Sequence, residues 1–235
     1  MSTATLGAKQ VYDRMLDSVG ARGISTSKAL ALQDAVQHGL DHVAHYHPWT
    51  WRIRRQDWAV TAATPYVLLA SSYESMGCAE IRRTHSDSVA RTLEPMTTRD
   101  FHRAVNPTDA TGTPTHYRIT QRQVGSTYRY VAEVTPRPDG DYTWPDVEYY
   151  QAPPALAFSG STGTVPEMPT EFYSTWLTAS RFYAAQALGR FKLSQQFKED
   201  LEEALADAVK RHDTTFQEGP PQGLEDPYGD WGAAC

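Results

Sequence analysis

Cysteine is scarce: Cys78 and Cys235 are the two in 235 residues. Two thiols build neither a disulfide framework nor a Cys-based zinc site, so packing has to hold the fold. Long apolar runs are missing as well. One of the best, Tyr66–Ala70, falls far short of the ~20 residues a membrane-spanning helix needs. The first nine residues contain no apolar stretch of the kind a standard secretory signal carries. Positive charge is not in excess: 22 Lys plus Arg stand against 28 Asp plus Glu, a net charge of −6. That balance argues against a DNA-coating protein or one drawn to anionic membranes. What is present, 40% hydrophobic and 21% charged residues, is the composition of a globular chain able to bury a sizeable core.

Hydrophobic spacing predicts helices at both ends. Leu6, Val11, Met15, Leu16 and Val19 suit a short amphipathic helix, which Gly20 and Gly23 break. A second helix, capped by Ser25 or Ser27, runs to about His45 with Leu32, Val36, Leu40 and Val43 on one face, and Pro48 stops it. Pro169 and Thr170 begin a third helix bearing Phe172, Trp176, Tyr183, Ala187 and Leu188, and Gly189 ends or kinks it. A fourth covers about Leu193 to Phe216, with Phe197, Leu201, Leu205 and Val209 spaced by four.

Between these helices, β-branched and aromatic residues recur in short runs cut by Pro, Gly, Asp and Asn. The runs predict strands at Trp51–Arg55, Trp58–Ala62, Tyr66–Leu69, Cys78–Arg83, Thr115–Gln121, Tyr128–Pro136 and Asp146–Gln151. A short helix capped by Thr97 or Thr98 fits around Val89–Phe101, and Pro136–Asp141 is a turn signal in which Gly140 is able to take positive φ. The expected fold class is α+β: a helical bundle from the N- and C-terminal segments, a large antiparallel β-rich insertion and an extended C-terminal tail. The expected divisions are 1–48, 49–151, a loop at 152–168, 169–216, and a tail at 217–235.

The tail has four acids, three prolines and no Lys or Arg, so it cannot pack by itself. Leu224, Tyr228 and Trp231 are spaced along it, with Glu225 and Asp226 between, as a segment needs if it orders by inserting anchors into a partner.

The search for chemistry yields little. His38, His42 and His45 share one face of the second helix, and His47 follows. No HExxH or accompanying Cys is present and the face lies opposite the apolar stripe, so a polar surface or subunit contact is favoured over a metal site. Thr84–Ser88 holds the residue types of a hydrolytic triad without a nucleophile elbow and reads as a turn. Gly160–Gly163 lacks the Gly-Lys-Ser/Thr of a phosphate loop. At Trp49–Trp58, Arg52, Arg54 and Arg55 alternate with Trp51, Ile53 and Trp58, a pattern that could bind single strands but more often marks a half-buried strand with outward arginines. No constellation argues for catalysis, and no cofactor or metal is expected.

The motifs nevertheless fall in a specific order: a helix with Leu32-Gln-Asp-Ala-Val36, the corner His47-Pro-Trp-Thr-Trp51, an aromatic-rich β segment, Pro136-Arg-Pro-Asp139, the Tyr-rich run Asp146–Pro154, Val165-Pro-Glu-Met-Pro-Thr-Glu-Phe-Tyr173, then paired helices. Over about residues 25–215 this order resembles the head-to-tail adaptor (connector) proteins of tailed bacteriophages. The resemblance implies a structural virion protein at the portal–tail junction, present in the host cytoplasm during assembly. Copies would form a ring beneath the dodecameric portal, extend the DNA channel without sequence-specific binding, and dock a nozzle, tube or fibre. Under that reading the tail residues Leu224, Glu225, Asp226, Tyr228 and Trp231 contact the portal or a neighbouring copy. His38, His42, His45, Arg52 and Arg54 contact subunits or tail proteins. The alternative is a single-stranded nucleic-acid binding module using Trp49–Trp58.

Overall fold

The computed structural model describes residues 6–23, 25–76, 81–84, 90–104 and 111–217. In chain order they form α1 (Ala8–Ser18), α2 (Thr26–Tyr46), a 3-10 turn (Thr50–Arg52), β1 (Ile53–Val60), β2 (Tyr66–Leu68), β3 (Tyr73–Met76), β4 (Ile81–Thr84) and β5 (Ala90–Pro95). Then come α3 (Thr98–Ala104), β6 (Thr111–Gly112), β7 (His116–Val124), β8 (Thr127–Thr135), β9 (Arg137–Pro138), β10 (Tyr142–Gln151), a 3-10 turn (Thr170–Phe172), α4 (Tyr173–Ala187) and α5 (Phe191–Gln217). The fold is α+β. The described residues fall into two compact units, one from the segments before Ile53 and after Ala152, the other from Ile53–Ala152.

In the helical unit, apolar stripes of α1, α2, α4 and α5 close one core around Met15, Leu32, Leu40, Trp49, Trp176 and Leu205. The α5 stripe drifts from strict four-residue spacing. Phe197, Leu201 and Leu205 are buried, but Ala208 takes the next buried place and Val209 only packs at its edge. A helix turns every 3.6 residues, so steps of four rotate off the core face and a step of three restores it. Both expected glycine stops are real. After α1 and after α4, Gly20 and Gly189 adopt left-handed φ of +56° and +66°. The following amides, Ala21 N–H to the Leu16 carbonyl and Arg190 N–H to the Ala185 carbonyl, complete Schellman closures at 3.0 and 2.8 Å. Arg190 also donates to the Val19 carbonyl, joining the α1 end to the α4–α5 corner.

The proline- and glycine-rich segment 152–168 is tied down. Gln37 of α2 bridges the Pro154 carbonyl and the Leu156 N–H, at 3.3 and 2.8 Å. The Thr162 and Thr164 carbonyls accept the first amides of α1, from Lys9 and Ala8 at 2.9 and 2.8 Å. Gly160–Gly163 thus presents carbonyl oxygens to a helix N-terminus, the reverse of an anion cradle.

Helix α2 approaches α4 tightly at Gly39, where an added Cβ would lie 2.7 Å from the Ser180 backbone nitrogen and Oγ. Gly39→Ala is therefore expected to destabilise the helical unit by about 1–3 kcal/mol through overpacking, although alanine is the better helix former. Urea denaturation checks this; a variant more stable than the parent would show that the helices can separate without cost.

The second unit packs a three-stranded sheet, ordered β1-β10-β3, and a five-stranded sheet, ordered β2-β8-β7-β5-β4, around Trp58, Leu93, Tyr117, Ala132 and Trp144. Trp58 of β1 meets Tyr117 of β7 edge to face at 5.3 Å. Pairing is antiparallel except between β5 and β7 and between β6 and β9. Several expectations change here. The two strands expected at Trp51–Arg55 and Trp58–Ala62 are one strand, Ile53–Val60, with an irregularity between Gln56 and Trp58. There Asp57 Oδ1 accepts the amide of Asp146, whose φ is +52°. Gly140 does not use the positive φ open to it, and the Arg137–Pro138 segment of that turn pairs with Thr111–Gly112. The strand Tyr73–Met76 was not anticipated; it completes the edge beside β10. The helix near Phe101 begins at Thr98, with Thr97 Oγ1 accepting the Asp100 amide at 3.2 Å, and a strand precedes it. Thr84, the first residue of the expected triad-like turn, ends β4, while Cys78 and residues 85–89, which hold the rest of that turn, lie outside the described residues.

Tyr73 and Tyr117 are buried in this core, and burial, with a neighbouring tyrosine charge as the lesser cause, pushes both hydroxyls up to about 12. The unfolded chain ionises them near 10, so their contribution to stability is intact below pH 10 and is lost as pH rises toward 12. A tyrosinate absorbance titration should resolve a late-titrating pair alongside declining stability over that window. Complete tyrosine ionisation near pH 10 with the fold retained would contradict this.

Candidate functional site

Helix α2 ends at a corner that its own sequence builds. Pro48 forbids continuation, and the chain turns through Trp49 into a 3-10 turn. Trp49 is fully buried, its indole Nε1–H donating to the Val43 carbonyl at 2.5 Å. Arg52, 6% exposed, donates from Nη1 to the Ala44 carbonyl at 2.5 Å. Two of the four carbonyls that α2 leaves unpaired at its end are thereby satisfied by side chains of the corner itself.

The corner is closed by the far end of the chain. Trp49 packs edge to face on Phe172 at 4.8 Å and on His212 of α5 at 5.3 Å. The Thr50 amide and hydroxyl both lie 3.2 Å from His212 Nε2. His47 stacks obliquely on Trp49 at 4.7 Å and meets His212 at 5.0 Å between ring centroids. Asp213 Oδ1 is 3.4 Å from His47 Nε2 and 3.4 Å from His212 Nδ1. Phe172 and His212 also border a small recess with Glu171, Ala208 and Arg211.

This corner contains the His-Pro-Trp-Thr-Trp run, one of the ordered motifs that carry the resemblance to adaptor proteins. The sequence matches the family model described as SU10 adaptor protein over residues 7–221. The chain belongs to the SU10 adaptor protein family. No curated protein matches it. The role of this SU10 adaptor protein is accordingly that of a structural phage adaptor, and among its described residues no helix is long and apolar enough to cross a membrane.

The expected contact residues of this SU10 adaptor protein divide. His38 and His45 are exposed on α2; His45 Nδ1 lies 2.6 Å from the Asp41 carbonyl. His42 is half-buried rather than on an open polar face. Its Nδ1 is 2.9 Å from the Tyr183 hydroxyl of α4, and burial holds the imidazole below the ordinary histidine range. The broad α4 apolar face reaches round far enough to cover it. Arg54 is partly buried on β1, its Nη1 3.0 Å from the Ile53 carbonyl. Arg52 is the clearest correction: it caps α2 and is not an outward arginine, because Thr50–Arg52 form a 3-10 turn and not a strand.

The single-strand reading loses two of its three tryptophan platforms, Trp51 being only partly buried. Trp49 and Trp58 are 0% and 2% exposed, so neither offers a ring face to a base. Leu224, Glu225, Asp226, Tyr228 and Trp231 lie outside the described residues. The residues that sequence reasoning missed are His212 and Asp213. They sit in an acidic, outwardly polar stretch of α5, and no local pattern couples them to His47.

Proposed function

We propose that this SU10 adaptor protein assembles with further copies into a ring beneath a dodecameric portal, extends the channel through which DNA passes, and presents a docking surface to a nozzle, tube or fibre. The family match over residues 7–221 carries the reading. The α5 surface supports it. Glu199, Asp200, Glu202, Glu203 and Asp207 are all exposed along that helix. Turned toward the channel, such a face repels phosphate and favours sliding, whereas a basic lining would hold the genome by counterion release.

In this proposal His38, His45 and Arg54 contact a neighbouring copy or a tail protein. The protein resides in the virion at the portal–tail junction after assembly in the host cytoplasm. It stays monomeric or weakly associated until a portal template raises local valency. Mass spectrometry of purified particles, followed by imaging of the layer directly below the portal, tests this. A ring of this chain in that layer is the expected result, and absence from the particles would refute it. A stable ring in dilute solution without portal would overturn the template requirement.

A further inference from the structure

We propose that His47, His212 and Asp213 form a binding site for one divalent transition metal ion, zinc being the ion that best suits the donor set. Among the described residues these three side chains bring their donor atoms within 4.8 Å of one another. The separations are those of long hydrogen bonds, and they also match the ligand spacing of a coordinated metal. Asp213 Oδ1 stands 3.4 Å from His47 Nε2 and 3.4 Å from His212 Nδ1, beyond the range of a good N–H···O bond. A tetrahedral zinc with Zn–N and Zn–O bonds of ~2.1 Å sets its ligand atoms about 3.4 Å apart along each edge. Two edges of the triangle thus already have the tetrahedral length, and they share one carboxylate oxygen at their apex.

The surroundings fit as well. Two imidazoles and a carboxylate are a donor set that zinc accepts with a fourth position left to water. The Asp213 side chain is 49% exposed while those of His47 and His212 are 21% and 11% exposed, so the ion has an approach from solvent and a sheltered seat. The His212 ring is held from behind. In the metal-free chain the Thr50 N–H donates to Nε2 at 3.2 Å, which leaves the ring proton on Nδ1; metal at Nδ1 moves the proton to Nε2, where the Thr50 hydroxyl, also at 3.2 Å, accepts it and the amide contact is given up. Trp49 against both rings limits their rotation. The ion would pin the end of α2 to α5 across the 165 residues from His47 to His212, and stabilisation grows with the length of loop closed. Asp213 is four residues from the end of α5 at Gln217, so the pin lies close to where the acidic tail begins.

The test uses the untagged full-length protein, freed of metal by chelator and dialysis, titrated with zinc sulfate in calorimetry, with bound metal measured after a second dialysis. About one zinc per chain is expected, with a rise in melting temperature on addition of zinc. The half-exposed position permits Asp213→Asn without disturbing the core, and His47→Gln keeps a polar side chain beside Trp49. Each should weaken zinc binding about tenfold or more and remove the zinc-dependent rise in melting temperature, read against the same variant without metal because His47 and Asp213 also pack and pair at the corner. A triple variant of His38, His42 and His45 to Asn should still bind. Cobalt in place of zinc should give visible ligand-field absorption without a thiolate charge-transfer band, which separates this site from one built on Cys78 or Cys235. No zinc bound by the parent would overturn the proposal. So would binding unchanged in Asp213→Asn and His47→Gln, binding lost in the triple variant, or a thiolate band.

Discussion

Trp49→Ala should cost the helical unit about 3–5 kcal/mol, enough to unfold much of it at moderate temperature. The ring is fully buried between the end of α2, Phe172 and His212. Its removal opens a cavity at the junction of three helical segments. It also leaves the Val43 carbonyl without its donor, a loss of about 1–3 kcal/mol when such a group stays buried. Trp49→Phe restores most of the volume but not the N–H, so it should fall between parent and alanine variant. Denaturation followed by helical circular dichroism measures all three. If Trp49→Ala lay within about 1 kcal/mol of the parent, the corner would not be the structural joint its packing implies.

Ending the chain after Phe216 should abolish incorporation of the protein into the connector while leaving the isolated chain folded. The removed segment carries four acids, three prolines and no bases, with Leu224, Tyr228 and Trp231 as its large apolar residues. Spaced anchors of this kind suit insertion into another surface, where buried aromatic residues dominate the binding energy. The helical core ends earlier, with Leu205 and Ala208 the last of its buried residues, so its melting temperature should not move. The measurement is the ratio of truncated to parent protein in particles from cells expressing both. Equal incorporation would reject the tail as the anchor. Tyr228→Ala and Trp231→Ala should each lower that ratio, Trp231→Ala more, because the indole buries the larger area.

Much of the helical unit was legible because its signals are local. The Leu32, Val36, Leu40 and Val43 face, the Phe197, Leu201 and Leu205 stripe and the stops at Gly20 and Gly189 each depend on residues within one or two turns of each other. The β unit was harder. Ile53–Val60 looked like two strands because its irregularity at Gln56–Trp58 interrupts alternation, and Tyr73–Met76 is too short and polar to stand out. The parallel pairing of Glu94 with His116 and Pro95 with Tyr117 has no turn signal, since the two segments are joined through α3 and the residues that follow it.

The corner divides the same way. His47, Pro48 and Trp49 mark it in the sequence, and Pro48 by itself ends α2 through its missing N–H and ring. That Arg52 turns inward to the Ala44 carbonyl depends on the 3-10 turn placing its side chain under the helix end. That His212 and Asp213 reach His47 depends on α5 packing back along the core, which brings together groups 162 residues and more apart. Sequence by itself determined the helical stripes, their stops, the net acidity and the family. Tertiary structure decided strand pairing, the capping role of Arg52 and the His47–His212–Asp213 cluster. Periodicity and backbone preference act over a few residues, whereas contacts between distant segments exist only once packing has chosen which faces meet.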